Sequence, residues 1–369
     1  MSGTGGRGGV RGAGRAAGDS AAVGPGGARR PRRFLILADG ALGILDAKTA
    51  VGALRYLPEE VAAVLDRAHA GRTSGEVLGV PGAAPVVATV AEGLALGANA
   101  LLVGIAPVGG ELPPQWRAWL LEGLAAGMDV WSGLHTFLSD DAQLAAAARR
   151  SGARIADLRR VPEMLPVATA RAAELLCTVC LTVASDCNSG KMTVALELHR
   201  AARRAGMRSR FVATGQTGIL LAGSGLAVDR VISDFVAGAA EQLVLEAAEG
   251  ADVVFVEGQG SLFHPGYSGV TLGLLHGASP GHMVLCHQPT RTATRAGGIR
   301  FPGYRGMIEA YEAAAGWVRP ARVVAVALNT FDLPGERARE ELARARSETG
   351  LPAADVVRHG ADTLLEALR

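Results

Sequence analysis

The pattern best suited to chemistry is a short polar segment, SDCNSGKMT at 185–193, between two apolar stretches. The run before it, 176–184, is typical of a buried parallel strand, and apolar residues at helical spacing follow it. A strand, a loop of small residues, a Gly-Lys pair and a helix form a phosphate-binding loop, in which backbone N–H groups and a lysine hold a polyanion. The residues predicted to bind a cofactor here are Asp186, Cys187, Asn188, Ser189, Gly190, Lys191, Met192 and Thr193.

This loop departs from the usual pattern at two places. Ala184 or Ser185 stands where the first glycine is expected, and Met192 separates Lys191 from the hydroxyl of Thr193. In the usual pattern a hydroxyl directly after the lysine binds magnesium. We therefore predict phosphate binding, with Lys191 also taking part in catalysis, and predict no metal ligand.

Polar residues follow other predicted strands as well, and the carboxyl ends of parallel strands face a ligand crevice. Glu257 follows the apolar run 252–256 and is expected to hold magnesium or a reacting proton, the alternative being a solvated strand-end acid. Asn329 follows 321–328 and is expected to contact an adenine edge or to act as a cap. Gln216 lies in a glycine-rich turn that should open onto the same crevice.

The histidines and cysteines do not have the spacing of a metal site. No pair among the histidines from 264 onwards has the i, i+4 spacing of a helical zinc site, so we expect none. His264 follows closely on Glu257 and is expected in a catalytic role or as a structural loop residue. Cys177 and Cys180 lie three apart, on opposite faces of a strand, and are expected to be packed core thiols.

The first half of the chain alternates short apolar runs with amphipathic stretches, which is typical of βα units and a parallel sheet. Strands are predicted over 33–38, 61–65, 85–88, 99–104, 128–131 and 153–157, and helices over 91–97, 114–126 and 140–151, the last starting at Asp140. The first turn, GALG at 40–43, lacks G-x-G-x-x-G, so no dinucleotide site is predicted. Lys48 and Arg55 belong to a solvated helix face or clamp a substrate carboxylate.

Length and charge set the broad class. The 369 residues suggest two domains, 32–162 and 163–369, after a disordered Gly/Arg-rich tail over 1–31. Residues 1–33 carry seven arginines and one acid; subtracting this +6 from the formal +2 leaves −4 for 34–369. Four arginines between 291 and 305 suggest nucleic acid or a small anionic ligand, and the net acidic body favours the small ligand over nucleic acid.

Hydropathy argues against a membrane protein. No run of 18 or more apolar residues occurs, so no membrane span is predicted. Arg32-Arg33 before an apolar run resembles an export signal, but Asp39 and Asp46 interrupt that run, and a first strand explains it better. We expect a cytoplasmic protein without a membrane partner and, by default, a homo-oligomer.

Longer segments resemble a known family. They are SDCNSGKMT, FVATGQTGILLAGSG, DVVFVEGQGSLFHPGYSGVTLGLLHG, DAKTAVGALRY and WSGLHTFLSDD. Between about residues 34 and 345 the chain is similar to the domain-of-unknown-function family typified by D-glutamate N-acetyltransferase. The resemblance implies an α/β fold of two domains. The first is a Rossmann-like parallel sheet, and the second is a P-loop NTPase-like parallel sheet with helices on both faces, similar to dethiobiotin synthetase.

The resemblance also implies transfer of an acetyl group from acetyl-CoA, as co-substrate, to the amine of D-glutamate. Such a reaction needs a base and hydrogen-bond donors for the developing oxyanion. Glu257 or His264 is the expected base, and backbone N–H groups of 215–218 or 258–260 are the expected donors. Coenzyme A phosphates would bind the phosphate loop, and Lys48 or arginines would hold the glutamate carboxylates.

Two other functions stay open at this point. An ATP- and magnesium-dependent kinase or amide-forming ligase would use Lys191 and Thr193 on the phosphates and Glu257 near the metal. A nucleotide-binding regulatory protein would use the same loop as a switch. Release of the coenzyme A thiol without ATP distinguishes the acyltransferase from magnesium-dependent release of ADP and from binding without turnover.

Overall fold

The computed structural model describes residues 31–44, 46–79, 82–105 and 112–368. Within these ranges the chain forms two six-stranded sheets, and every pair of neighbouring strands is parallel. The protein therefore has the predicted α/β fold of two domains. The predicted tail falls on residues outside the described part, apart from Pro31, and the limits 32–162 and 163–369 stay predictions.

The first domain contains a Rossmann-like sheet with strand order β3-β2-β1-β4-β5-β6. Its strands are β1 Phe34–Leu37, β2 Val61–Leu65, β3 Val86–Val87, β4 Ala100–Val103, β5 Asp129–Ser132 and β6 Ile155–Asp157. Its helices are α1 Lys48–Tyr56, α2 Ser74–Leu78, α3 Val90–Ala95, α4 Pro114–Ala125 and α5 Ala142–Ser151. Strand β1 lies at the centre of the sheet, and later strands are added on both sides of it, so the carboxyl end of β1 borders a topological switch point.

The second domain contains a sheet with strand order β12-β11-β10-β7-β9-β8. Its strands are β7 Thr178–Ala184, β8 Ser209–Val212, β9 Val253–Val256, β10 His282–His287, β11 Arg322–Leu328 and β12 Ala353–Ala354. Its helices are α6 Lys191–Arg204, α7 Gln216–Ala222, α8 Ser233–Ala248, α9 Ser268–Ala278, α10 Tyr304–Ala315, α11 Gly335–Thr349, α12 Val356–His359 and α13 Asp362–Glu366. None of the helices in the described ranges has the length and hydropathy of a membrane span.

Strand β7 is mostly apolar because both of its faces are covered. Leu181 and its alternate neighbours pack into a core with Leu275 and Met307, from α9 and α10. Cys180 and Ala184 pack on the opposite face with residues of α6 and α13. Alternate side chains of a strand point to opposite faces, so a strand between two helical layers shows a continuous apolar run.

Two local expectations are corrected. Helix α5 is capped by Asp141, whose Oδ1 accepts hydrogen bonds of 3.0 Å from the N–H groups of Gln143 and Leu144, whereas Asp140 belongs to a preceding 3₁₀ turn. Both neighbouring aspartates suit a helix start, and the sequence did not distinguish them. Cys180 is a buried free thiol as expected, but Cys177 precedes β7 and is only partly buried.

The two domains meet along helices α1 and α7. The hydroxyls of Thr49 and Thr217 lie 2.9 Å apart in a buried hydrogen bond. A Cβ on Gly52 would lie 2.8 Å from Cγ2 of Thr217, so the glycine allows the two helices to approach closely. The hydrophobic core of the first domain also takes in Leu220 from α7. The packing of α1 against α7 places the N-terminal end of α1 beside the carboxyl edge of the second domain's sheet.

Candidate functional site

A cavity of about 400 Å³ lies where the two domains meet. This volume falls within the range of small-molecule sites, roughly 300–1,000 Å³. Its walls include 187–194 from the phosphate loop and α6, the turn 258–260, Asn329, Phe331, Arg358, and Lys48, Arg55 and Tyr56 from α1. The site is therefore built by both domains at the carboxyl end of β7.

The phosphate loop turns its backbone toward this cavity. Asn188 and Gly190 have positive φ values of 55° and 104°, and Gly190 is the cap residue that starts α6. Within the described chain, the N–H groups of residues 188–190 meet no backbone or side-chain acceptor. Free N–H groups at a helix start form a binding site for an anion.

Lys191 connects the loop to the turn after β9. Its Nζ donates to the carbonyl of Asp186 at 3.1 Å and to that of Gly260 at 2.7 Å. Burial lowers the pKa of this lysine, which is only 7% exposed. The Lys191 ammonium lies at the cavity wall. A bound phosphate can replace one of these two carbonyls as its hydrogen-bond acceptor.

Buried side chains fix the loop from behind. The Asp186 carboxylate accepts hydrogen bonds from the N–H groups of Cys187 at 2.7 Å and Arg295 at 3.0 Å, so it shapes the loop and is absent from the cavity wall. Arg291 donates to the carbonyl of Cys187 at 2.8 Å. Nδ1 of His287 lies 2.8 Å from Oγ of Ser185.

Sequence reasoning missed two of these residues as parts of the site. The sequence identifies Arg291 as part of the arginine cluster and His287 as the residue after a predicted strand over 283–286, and assigns a role in the loop to neither. The available signal was the position of His287 at the carboxyl end of a strand beside the loop.

Glu257 lies directly behind the cavity wall. Its carboxylate accepts hydrogen bonds from the N–H groups of Thr214 at 3.1 Å and Gly215 at 3.2 Å, at the start of α7. Burial raises the pKa of Glu257, an effect that Lys48 and these two N–H groups oppose. The residues after it, 258–260, line the cavity, whereas Glu257 itself does not.

His264 is also buried and stays off the cavity wall. Its Nδ1 accepts a hydrogen bond of 3.1 Å from the N–H of Gly266, so in the neutral ring Nε2 carries the proton and is a donor. A nitrogen of His264, an oxygen of Asp186 and Sγ of Cys187 lie within 4.8 Å of one another. The cationic Arg291 and Lys191 nearby and the proton on His264 Nε2 disfavour a metal ion at this cluster.

The remaining predicted residues lie in two places, on the cavity wall and at the domain junction. Asn329, together with Met192 and Thr193, lies on the cavity wall, and its N–H donates to the carbonyl of His287. Gln216 is buried and packs at the domain junction, where a Cβ on Gly133 would lie 2.6 Å from its Cγ. The structure thus brings most of the predicted residues together around one cavity. It places Asp186, Glu257, His264 and Gln216 behind that cavity's wall.

The cavity wall carries an excess of positive charge. Its ionisable side chains include the cations Lys48, Arg55, Lys191 and Arg358 and one carboxylate, Asp355. Asp355 caps α12 and accepts from Oγ1 of Thr330, and Arg358 donates to two carbonyls. Lys48 and Arg55 have no hydrogen-bond or ion-pair partner in the part of the chain that the structure describes. This charge distribution favours an anionic ligand.

The fold and the cavity define a two-domain α/β protein with a phosphate-binding loop at its domain junction. Residues 67–161 match the family model of a Rossmann-like domain of unknown function, DUF1611_N, and residues 166–365 match that of its P-loop partner, DUF1611_C. The chain belongs to this DUF1611 family.

Similar proteins cover between 76% and 91% of the chain. A protein of Tritonibacter scottomollicae named D-glutamate N-acetyltransferase is 36% identical over 341 residues, 91% of this chain and 98% of that protein. A Pseudoalteromonas protein of the same name is 37% identical over 284 residues, 76% of this chain and 84% of that protein. A crystal structure of a DUF1611 family protein from Anabaena variabilis is 40% identical, with a TM-score of 0.87 over 91% of this chain and 99% of that one.

Proposed function

We propose that this protein is an N-acyltransferase that moves the acetyl group of acetyl-CoA to the amine of an acidic amino acid, with D-glutamate as the expected acceptor. The observation that carries the proposal is the interdomain cavity, which joins a phosphate-binding loop to Lys48 and Arg55, two cations without a partner among the described residues. The names of the two relatives at 36% and 37% identity support acyl transfer as the reaction class.

Coenzyme A fits the chemistry of the loop. Its phosphates would accept hydrogen bonds from the N–H groups of 188–190 and face the Lys191 ammonium, with no need for a magnesium-binding hydroxyl at Met192. Asn329 and Phe331 on the same wall offer a polar edge and an aromatic face for an adenine ring.

An acidic acceptor fits the opposite side of the cavity. The planar guanidinium of Arg55 matches a carboxylate with two parallel hydrogen bonds. Tyr56 lies on the same wall; its hydroxyl is buried, and burial followed by the nearby Glu197 carboxylate raises the pKa of Tyr56.

Transfer requires attack of the neutral amine nitrogen on the thioester carbon. The C–N bond forms, the C–S bond breaks, one proton leaves the nitrogen, and the coenzyme A thiolate gains a proton. The backbone N–H groups of Gln259 and Gly260 on the wall would stabilise the oxyanion, whereas that of Gly258 already donates to Oγ1 of Thr182. Glu257 stays the proposed proton acceptor: its carboxylate lies behind the wall, so we propose that the proton reaches it through one bridging water, and burial raises its pKa. The Nε2–H of His264 suits it as a donor more than as a base.

The experiment is a turnover assay with purified full-length protein. Acetyl-CoA is mixed with D-glutamate, L-glutamate, D-glutamine or no amino acid, without ATP, and free thiol is measured. We expect thiol release to be fastest with D-glutamate and much slower with D-glutamine, which lacks the second carboxylate. Lys191→Met should abolish release, and Arg203→Met, at the exposed end of the same helix, should not.

The same protein incubated with ATP, magnesium and the amino acids tests the alternatives. The observation that favours ATP chemistry is the presence of the Thr193 hydroxyl residue on the same cavity wall as Lys191, two positions after it. ADP release without thiol release would overturn acyl transfer and establish a kinase or ligase. Nucleotide binding without any turnover would point to a regulatory protein.

A further inference from the structure

The chain contains only two lysines, Lys48 and Lys191, among its 37 basic residues other than histidine. The structure brings both lysines to the wall of one cavity, although they belong to different domains. Lysine presents a compact point charge, whereas arginine presents a planar fork. A chain that otherwise uses arginine throughout thus has lysine only at this cavity, where Lys191 is the phosphate-loop lysine.

The two lysines also occupy equivalent positions on adjacent helices. Lys48 is the first residue of α1 and Lys191 the first residue of α6, and neither helix has an acidic residue in its first turn. A Cβ on Gly52 would lie 3.8 Å from Cε of Met192, and the Arg200 guanidinium lies 5.1 Å from the Tyr56 ring centre. These contacts follow the same order along both helices, so the helices run in the same direction and begin at the same end of the cavity.

This arrangement is electrostatically unfavourable without a ligand. A helix N-terminus carries a positive partial charge, and a lysine there is at the wrong end of the helix dipole. Two such ends, each with an added ammonium, repel each other. Lys48 favours the ionised forms of Glu257 and Cys187 and disfavours the Lys191 ammonium, and no residue in the described chain forms a hydrogen bond or an ion pair with it. A polyanion between the two helix starts would remove this repulsion.

We infer that Lys48 is a phosphate-binding residue that the first domain supplies to the second domain's phosphate loop. The polyanion held by residues 188–191 is then also held by Lys48, so the ligand bridges the two domains. This inference rests on the polyanion binding in the proposed function and not on its acyl-transfer step. With Lys48 assigned to the phosphates, the carboxylate of the acceptor would bind to Arg55, which lies about two helical turns further along α1.

The test uses inorganic pyrophosphate as the probe and isothermal titration calorimetry of the full-length protein. Lys48→Gln removes the charge and is expected to weaken pyrophosphate binding about tenfold or more. Lys48→Arg retains the charge but replaces the compact ammonium with a planar fork, so it should lose some affinity, and less than Lys48→Gln. Arg149→Gln, an exposed change on α5 far from the cavity wall, is the control and should bind as the original protein does. A NaCl series should show a shallower salt dependence for Lys48→Gln, because one charge fewer contacts the ligand.

Each result decides a separate point. Equal pyrophosphate affinity of the original protein and Lys48→Gln overturns the inference, even if that variant has a raised KM for the amino acid. Equal losses in Lys48→Gln and Lys48→Arg, with a lowered Tm in both, indicate a structural role and also overturn it. No pyrophosphate binding by the original protein overturns the polyanion site itself. Thiol release from acetyl-CoA, measured in parallel, tests the acyl-transfer proposal independently.

Discussion

At the scale of single residues, buried groups behind the phosphate loop set its shape before any ligand arrives. His287 contacts Oγ of Ser185, Arg291 holds the carbonyl of Cys187, and the Asp186 carboxylate accepts two backbone N–H groups. These contacts use the loop's carbonyl, hydroxyl and carboxylate oxygens and leave the N–H groups of 188–190 facing the cavity. Because the loop is already fixed, it loses little conformational entropy when a ligand binds.

His287 should make the stability of the protein pH-dependent. Burial, followed by the charges of Arg344 and Arg291, lowers the pKa of His287 from 6.5 to about 4. The unfolded chain therefore binds more protons than the folded chain between these values, and stability falls as pH falls from 6.5 toward 4. By pH 5 this one group should cost about 2 kcal/mol relative to pH 7.

His287→Gln removes the titrating group and keeps a side chain able to bond Ser185. Urea unfolding at pH 7 and pH 5 should show a smaller loss of stability for His287→Gln than for the original protein. His359→Gln, on an exposed side chain, is the matched control and should follow the original protein. Parallel losses in all three proteins would rule out the role of His287.

At the scale of elements, one glycine sets the distance between α7 and the end of β9. A Cβ on Gly218 would lie 2.1 Å from Oε2 of Glu257 and 3.2 Å from Cβ of Ala213. The helix start can therefore reach the carboxylate only because residue 218 has no side chain. The proposed proton acceptor depends on this approach, since Thr214 and Gly215 hold Glu257 in place.

Gly218→Ala should consequently destabilise the protein by about 1–3 kcal/mol, the usual cost of overpacking a buried site. Chemical denaturation provides the measurement. Gly269→Ala is the matched control, because Gly269 also lies in a helix but its Cβ would meet no atom within 4 Å. That change should be neutral or stabilise by at most about 1 kcal/mol. Equal effects of the two substitutions would contradict the close approach.

At the scale of the whole molecule, function depends on how the domains are joined. Arg159 is 5% exposed, donates to the carbonyl of Gly133 at 2.7 Å and forms an ion pair with Asp229 of the second domain. Together with the Thr49–Thr217 hydrogen bond, this pair holds the two walls of the cavity in place. A cavity built by two domains keeps its shape only while both stay docked.

Arg159→Ala should therefore destabilise the protein by about 2–3 kcal/mol and weaken pyrophosphate binding, because it leaves Asp229 and a carbonyl without their partner. Calorimetric scans are expected to broaden or split into two transitions as the domains uncouple. Arg160→Ala removes a neighbouring exposed ion pair with Asp140 and should cost at most about 1 kcal/mol. A single sharp transition with unchanged binding in Arg159→Ala would show that the pair does not couple the domains.

Much of this architecture was predictable from local pattern. The runs around Leu181 and Val254 are apolar because their strands are buried on both faces, and β2 matches its predicted limits without change. The first residue of α5 was harder to predict, because Asp140 and Asp141 are adjacent and both suit a helix N-cap. Prediction also did not give His287 or Arg291 a place in the site. Their roles arise from contacts more than 100 residues apart in the chain, which periodicity does not report.

The sequence by itself determined the alternation of strands and helices and the polar loop that starts at Ser185, because residue types, glycine positions and apolar spacing are local properties of the chain. Only the tertiary structure decided which polar groups reach the cavity. It buried Glu257 behind the cavity wall, turned Asp186 inward as a brace, and placed Lys48 opposite Lys191. The physical reason is that the cavity arises from the docking of two sheets. The exposure and charge environment of each residue depend on a surface from the other half of the chain.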